Sequence, residues 1–96
     1  MQRFVWDPDK ARVNLRKHRI SFETAARVFT DPCALTRQDR IENGEYRWQT
    51  VGMVDGITVI LVAHMLEEDP DGVEVIRIIS ARRANLKERK RYEQNR

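Results

Sequence analysis

The chain has 96 residues, 41% of them hydrophobic and 34% charged, with a formal net charge of +3. That length allows one compact domain, expected over 1–96, with one modest core. No apolar run approaches the ~20 residues that cross a bilayer, and Met1–Asp7 lacks the apolar stretch and cleavage site of a leader, so a cytoplasmic protein without membrane contact is expected.

Arg3 to Trp6 can form a short first strand. Asp7 then offers an N-cap and Pro8 a first helical residue. Ala11, Leu15 and His18 follow at helical spacing with Asn14 beside them, which predicts one narrow inward stripe. Arg19-Ile20 breaks this helix and Ser21 caps a second, in which Phe22, Ala25, Ala26 and Phe29 make an apolar face closed by Asp31-Pro32. Trp6, Phe22 and Phe29 read as core.

Ala34 to Gln38 is a short strand, followed by the polar segment Asp39 to Gly44. Tyr46 to Val54 and Ile57 to His64 are strands joined by Asp55-Gly56, a strong signal for a type I′ hairpin. The turn Glu67 to Gly72 leads into a last strand, Val73 to Ala81, and a helix from Ala84 to about Gln94. The expected fold class is therefore α+β: two N-terminal helices, an antiparallel meander and a C-terminal helix. Along the strand Tyr46 to Val54, Tyr46 and Trp48 share the face opposite Arg47, which reads as core.

Charge is uneven along the chain. Arg77, Arg82, Arg83, Lys87, Arg89, Lys90, Arg91 and Arg96 crowd the last twenty residues, while Lys10, Arg12, Arg16, Lys17 and Arg19 form a second cluster. Glu67, Glu68, Asp69, Asp71 and Glu74 concentrate negative charge between them. A basic face for nucleic acid or for an acidic protein is one reading, and ordinary solvated helices are the other. Arg77 and Arg82 stand out because they interrupt a strand rich in isoleucine and valine, and a polyanion would give them a purpose. A structural pair of Arg77 with Glu74 or Glu93 is the alternative. The single Cys33 has neither a disulfide partner nor metal-ligand companions, and no His, Cys or carboxylate cluster has ligand spacing, so neither metal nor cofactor is expected.

In order, Trp6-Asp7-Pro8, Lys10, Asn14, Lys17-His18, Ser21-Phe22-Glu23, Ala25, Ala26, Val28-Phe29 and Asp31-Pro32 resemble the BrnT family of bacterial toxins. Glu45, Arg47, Gly52, Ile76 to Arg82, Glu88 and Tyr92-Glu93 continue the match nearly to the end of the chain. The resemblance implies a RelE-like fold, toxic endoribonuclease activity that inhibits translation, and neutralisation by a BrnA-like ribbon-helix-helix antitoxin, through which alone operator DNA would be contacted.

Cleavage without metal would let the ribose 2′-hydroxyl attack the adjacent phosphate, which needs a base, cations for the developing charge and an acid for the leaving oxygen. Arg47, Arg77 and Arg82 suit the second role, since the guanidinium fork matches phosphate oxygens and keeps its charge. Glu45 is a base or an orienter of Arg47, or else a salt bridge at the sheet edge. His64, expected near a groove rim, is a catalytic candidate. Lys10, Lys17, His18, Arg83, Lys87 and Tyr92 are candidate RNA contacts, with packing as the plainer role for His18 and Tyr92.

Two departures from the family pattern bear on activity. Met65 to Asp69 is acidic where many relatives carry an arginine, and Arg40, Ile41 and Glu42 stand where a histidine is common. Alternative functions are thus a weakened homologue that regulates transcription with its antitoxin, and a nucleic-acid-binding module without chemistry.

Overall fold

A computed structural model describes residues 2–96. Five strands form one sheet in the order β1-β5-β4-β3-β2, with β1 at Gln2–Val5, β2 at Leu35–Glu42, β3 at Glu45–Val54, β4 at Thr58–Glu68 and β5 at Glu74–Arg83. Strands β2 to β5 are an antiparallel meander, as expected. The sheet as a whole is mixed, because β1 runs parallel beside β5, pairing Gln2 with Glu74 and Val5 with Arg77. Local patterning carries no signal for this pairing, which is set by the crossover through the helices.

Helix α1, Pro8–His18, starts on an Asp7 cap with proline in its first turn and stops at Arg19 in the left-handed region. Its inward residue is Asn14, buried to 5%, whereas Leu15 on the expected stripe is exposed. The second helix is shorter than its periodicity suggests: α2 spans only Phe22–Ala26, and Arg27–Thr30 tightens into a 3-10 turn. Tightening places Val28 in the core, with Phe29 packed only partly against it. Helix α3, Leu86–Asn95, opens on a reciprocal capping box between Asn85 and Glu88.

The strands run further than the sequence suggested. The segment Asp39–Gly44 is the end of β2 plus a tight turn, in which Asn43 and Gly44 both take positive φ. The Asn-Gly signal was present there. A bulge between Gln38 and Ile41 interrupts the pairing of β2 with β3. The expected hairpin at Asp55-Gly56 forms, again with both φ positive and with Ile57 N–H donating to Val54 C=O.

The main core lies between one sheet face and the first two helices. Ile20, Phe22, Ala25 and Val28 pack on Val54, Ile60, Val62, Ile76, Ile78 and Ala81. Gly52 permits this approach, because a Cβ there would sit 2.7 Å from Val28 Cγ1 and 3.0 Å from Val28 O. A smaller core on the second face joins Val51, Val59 and Leu61 to Tyr92 of α3. Tyr46, expected inside, is 55% exposed at the end of its hairpin.

Asn14 closes an edge that β1 is too short to cover. Its amide donates to Ala81 C=O at 2.9 Å and to Ile20 C=O at 3.0 Å, and its carbonyl accepts from Ala81 N–H at 3.1 Å. Asn14→Ala strands the Ala81 peptide groups in the core, so a loss of about 2–4 kcal/mol in urea unfolding is expected. A loss under about 1 kcal/mol would show that another group takes over the Ala81 edge.

Candidate nucleic-acid interface

Strand alternation and register decide which candidates meet. On the face away from α1 and α2, Leu35, Val51, Leu61 and Arg82 form one cross-strand row beneath α3. The adjacent row is Arg37, Gln49, Ala63 and Ser80. Beyond it, Met65 lies opposite Arg77, and Arg47 lies two residues along from Gln49, hence on the same face. On this face Ala63 and Ser80, both with small side chains, thus lie between the row beneath α3 and the positions of Arg47 and Arg77.

Arg77 and Arg82 are five residues apart, so a regular strand would put them on opposite faces. The pairing of β4 with β5 shifts between Ala63 and His64, where His64 faces Ile78 while Ala63 faces Ser80. Ile79 is the extra residue, and this bulge brings both arginines to one face. The sequence offers no local mark for it.

Each arginine meets a carboxylate, and the three pairs differ. Arg82 makes a two-pronged bond to Glu88, Nη1 to Oε1 at 2.9 Å and Nη2 to Oε2 at 3.0 Å. The Glu88 side chain is only 12% exposed and its carboxylate also accepts from Asn85 N–H. The bond to Arg82, outweighing burial, holds the Glu88 carboxyl below its ordinary value, while the same bond raises Arg82. Arg77 faces Glu67 more loosely, at 3.2 and 3.4 Å with both side chains well exposed. It bonds neither Glu74 nor Glu93. Arg47 is 3.8 Å from Glu42, and its Nε is buried with no hydrogen-bond partner among the described residues. Glu45, exposed at the start of β3, makes no ion pair with Arg47.

His64 requires a correction. It lies in the interior at 0% exposure and away from any rim, on the face packed by the helices. There Nε2 is 2.8 Å from Thr50 Oγ1, which is 2.8 Å from Thr36 Oγ1, and Phe29 packs edge-on against the imidazole. Burial lowers its pKa to about 4, so the ring is neutral. Alternation from Val62, not distance from the strand end, sets its direction.

Tyr92 is likewise an interior residue and not an RNA contact in this structure. It is 2% exposed, and its hydroxyl donates to Asp31. Burial and the Asp31 carboxylate raise the phenol to about 12. Burial acts to raise Asp31 in turn, but bonds from Tyr92, Met53 N–H and Cys33 N–H overcome it and leave that carboxyl low. Lys10, Lys17 and His18 share a separate groove between α1 and the bulged part of β5, with Ile79 and Ser80 on its other side. Arg83 points to the face opposite Arg82, and Lys87 is exposed on α3. Among the described residues no group of three or more His, Cys, Asp or Glu side chains could hold a metal.

Residues 6–88 match the family model described as the ribonuclease toxin BrnT of type II toxin-antitoxin systems. The chain belongs to the BrnT family. The crystal structure of the Brucella abortus ribonuclease toxin BrnT is similar in fold, with a TM-score of 0.61 and 23% identity over 88% of this chain and 99% of that one. Among curated proteins there is no match. BrnT membership makes this a ribonuclease toxin with RNA as substrate and an antitoxin as partner.

The buried histidine gives this BrnT protein a pH-dependent stability. Its folded pKa of about 4 lies below the ordinary 6.5, so the unfolded chain binds the extra proton between these values. The contribution is complete above pH 6.5 and is lost as pH falls toward 4, a total of about 3 kcal/mol. Urea unfolding should show that slope in the wild type and a flatter one in His64→Gln; equal slopes would mean that His64 takes up its proton as readily in the fold as in the unfolded chain.

Proposed function

We propose that this chain is a metal-independent endoribonuclease in which Arg47 and Arg77 hold the scissile phosphate. The reading is supported by one sheet face, taken here as the RNA groove: Arg47, with a buried unpaired Nε, and Arg77, in a loose exposed pair with Glu67, flank the small side chains of Ala63 and Ser80, while the third arginine, Arg82, is held by a largely buried Glu88. In this reading Arg82 positions α3 and the groove wall. Glu42, nearer to Arg47 than Glu45 is, orients that arginine, and Glu45 takes the proton from the ribose 2′-hydroxyl. The oxygen then attacks phosphorus, the bond to the 5′-oxygen breaks, and a water gives that oxygen a proton and is reprotonated by Glu45, leaving a cyclic phosphate, a 5′-hydroxyl and the Glu45 carboxylate restored. Fixed guanidinium charge meets the negative charge that builds on phosphate oxygens.

The partner in this proposal is a BrnA-like ribbon-helix-helix antitoxin in the same cytoplasm, which silences the groove and carries the complex to operator DNA. A second reading has a specific observation behind it. Glu67 occupies Arg77, in the acidic segment where many relatives carry an arginine, and this competes with phosphate. A protein slowed in this way acts mainly as its antitoxin's partner in repression.

Expression in a bacterial host separates the two. Growth arrest that Arg77→Ala abolishes, with cleavage of purified RNA reduced about hundredfold, undiminished by a chelator and with unchanged thermal unfolding, supports the first reading. Arg82→Ala should lower the unfolding temperature as well. Absence of arrest from the wild type at every expression level, with the antitoxin still captured, supports the second.

A further inference from the structure

A basic depression lies on the same sheet face as the proposed phosphate site. Leu35, Thr36 and Arg37 of β2 face Arg91, Gln94 and Asn95 of α3 across about 410 Å³, a size in the ~300–1,000 Å³ range that seats small ligands. Among the described residues neither Arg37 nor Arg91 is paired with a carboxylate. Glu88, one turn before Arg91, has both oxygens on Arg82. Two cations outside any ion pair therefore face one depression, Arg91 sensing Glu88 only at longer range, unlike Arg47, Arg77 and Arg82, each of which has a glutamate oxygen within 4 Å.

Arg37 lies opposite Gln49 in the sheet, and Gln49 is two residues, about 7 Å, from Arg47. A strand of RNA held at Arg47 thus reaches Arg37 within one or two nucleotides. Asn95 already donates to Cys33 C=O at 3.1 Å, which fixes the end of α3 over β2. The Gln94 carboxamide, which makes no side-chain hydrogen bond among the described residues, lines the depression and offers both a donor and an acceptor to a base edge. Arg91, Gln94 and Asn95 also lie beyond the stretch 6–88 that matches the family.

We propose that the depression between β2 and α3 is a subsite for nucleotides flanking the cleaved bond in single-stranded RNA, with Arg37 and Arg91 on phosphates and Gln94 on a base. This rests on the RNA-cleaving reading above. It would make selection of the flanking sequence a property of the last helix of this chain.

The test is binding of a fluorescent single-stranded RNA of about ten nucleotides, made of 2′-O-methyl nucleotides so that it cannot be cleaved, across a series of salt concentrations. Arg37→Gln with Arg91→Gln should weaken binding about tenfold and make the slope of log affinity against log salt shallower by about 1.4, the loss of two phosphate contacts. Arg89→Gln with Lys90→Gln removes the same charge from exposed positions of α3 outside the depression and should change the slope by less than half as much. Gln94→Ala should even out affinities for RNAs that differ only in flanking bases. Equal effects of the two double variants, or none from the first, overturn the subsite while RNA binding by the wild type still stands. Loss of antitoxin capture by Arg37→Gln with Arg91→Gln, with RNA affinity unchanged, also overturns it and makes the depression a protein contact. A wild type that binds no RNA at low salt overturns the ribonuclease reading itself.

Discussion

The two hydrogen bonds between the Asn14 carboxamide and the Ala81 peptide are the constraint on which the rest of the structure depends. Strand β1 ends at Val5 opposite Arg77, leaving the outer edge of β5 without a strand neighbour just where the bulge displaces it. A carboxamide has a donor and an acceptor side by side, as a peptide does, so α1 supplies one residue's worth of strand pairing. With Ala81 fixed inward, Arg82 must face outward on the other side, and its bond to Glu88 ties α3 to the sheet. One peptide group thereby links the first helix to the last.

That linkage also accounts for the unequal arginines. A guanidinium bonded through two nitrogens to a largely buried carboxylate has little left to offer a ligand, and breaking the pair would leave Glu88 poorly solvated beneath the helix. Arg77 and Glu67 are exposed on a β-sheet face, where water screens their attraction and an arriving phosphate can replace the carboxylate at small cost. Arg47 lies between these extremes, with one nitrogen already stripped of water and unpaired. In the proposed reaction the least satisfied cations are therefore the ones nearest the substrate.

Much of this architecture was legible in the sequence, for identifiable reasons. Caps at Asp7 and Ser21, the Asp55-Gly56 turn and the alternation along β3 and β4 are local signals, and each produced its element. The parallel seat of β1, the bulge at Ile79 and the inward turn of His64 depend on partners far along the chain. Arg77 and Arg82 are conspicuous because they are charges inside an apolar strand, yet their common face follows from an inserted residue that no residue type announces. Tyr92 takes the plainer of its two roles, packing beneath α3, and the partner of its hydroxyl, Asp31, is too distant in sequence for local spacing to name.

The two faces of the sheet divide polar chemistry between them. On the helix-covered face, an exposed Thr36 and the buried Thr50 and His64 form a hydrogen-bonded ladder whose imidazole is held neutral by desolvation. On the grooved face the polar groups are arginines, glutamates, Gln49 and Ser80, with no histidine among them. A site of that composition has ample fixed charge for a phosphate and little capacity to exchange protons near neutral pH. Rate acceleration in the proposed ribonuclease then comes chiefly from electrostatic stabilisation of the transition state and from holding the 2′-oxygen in line with phosphorus.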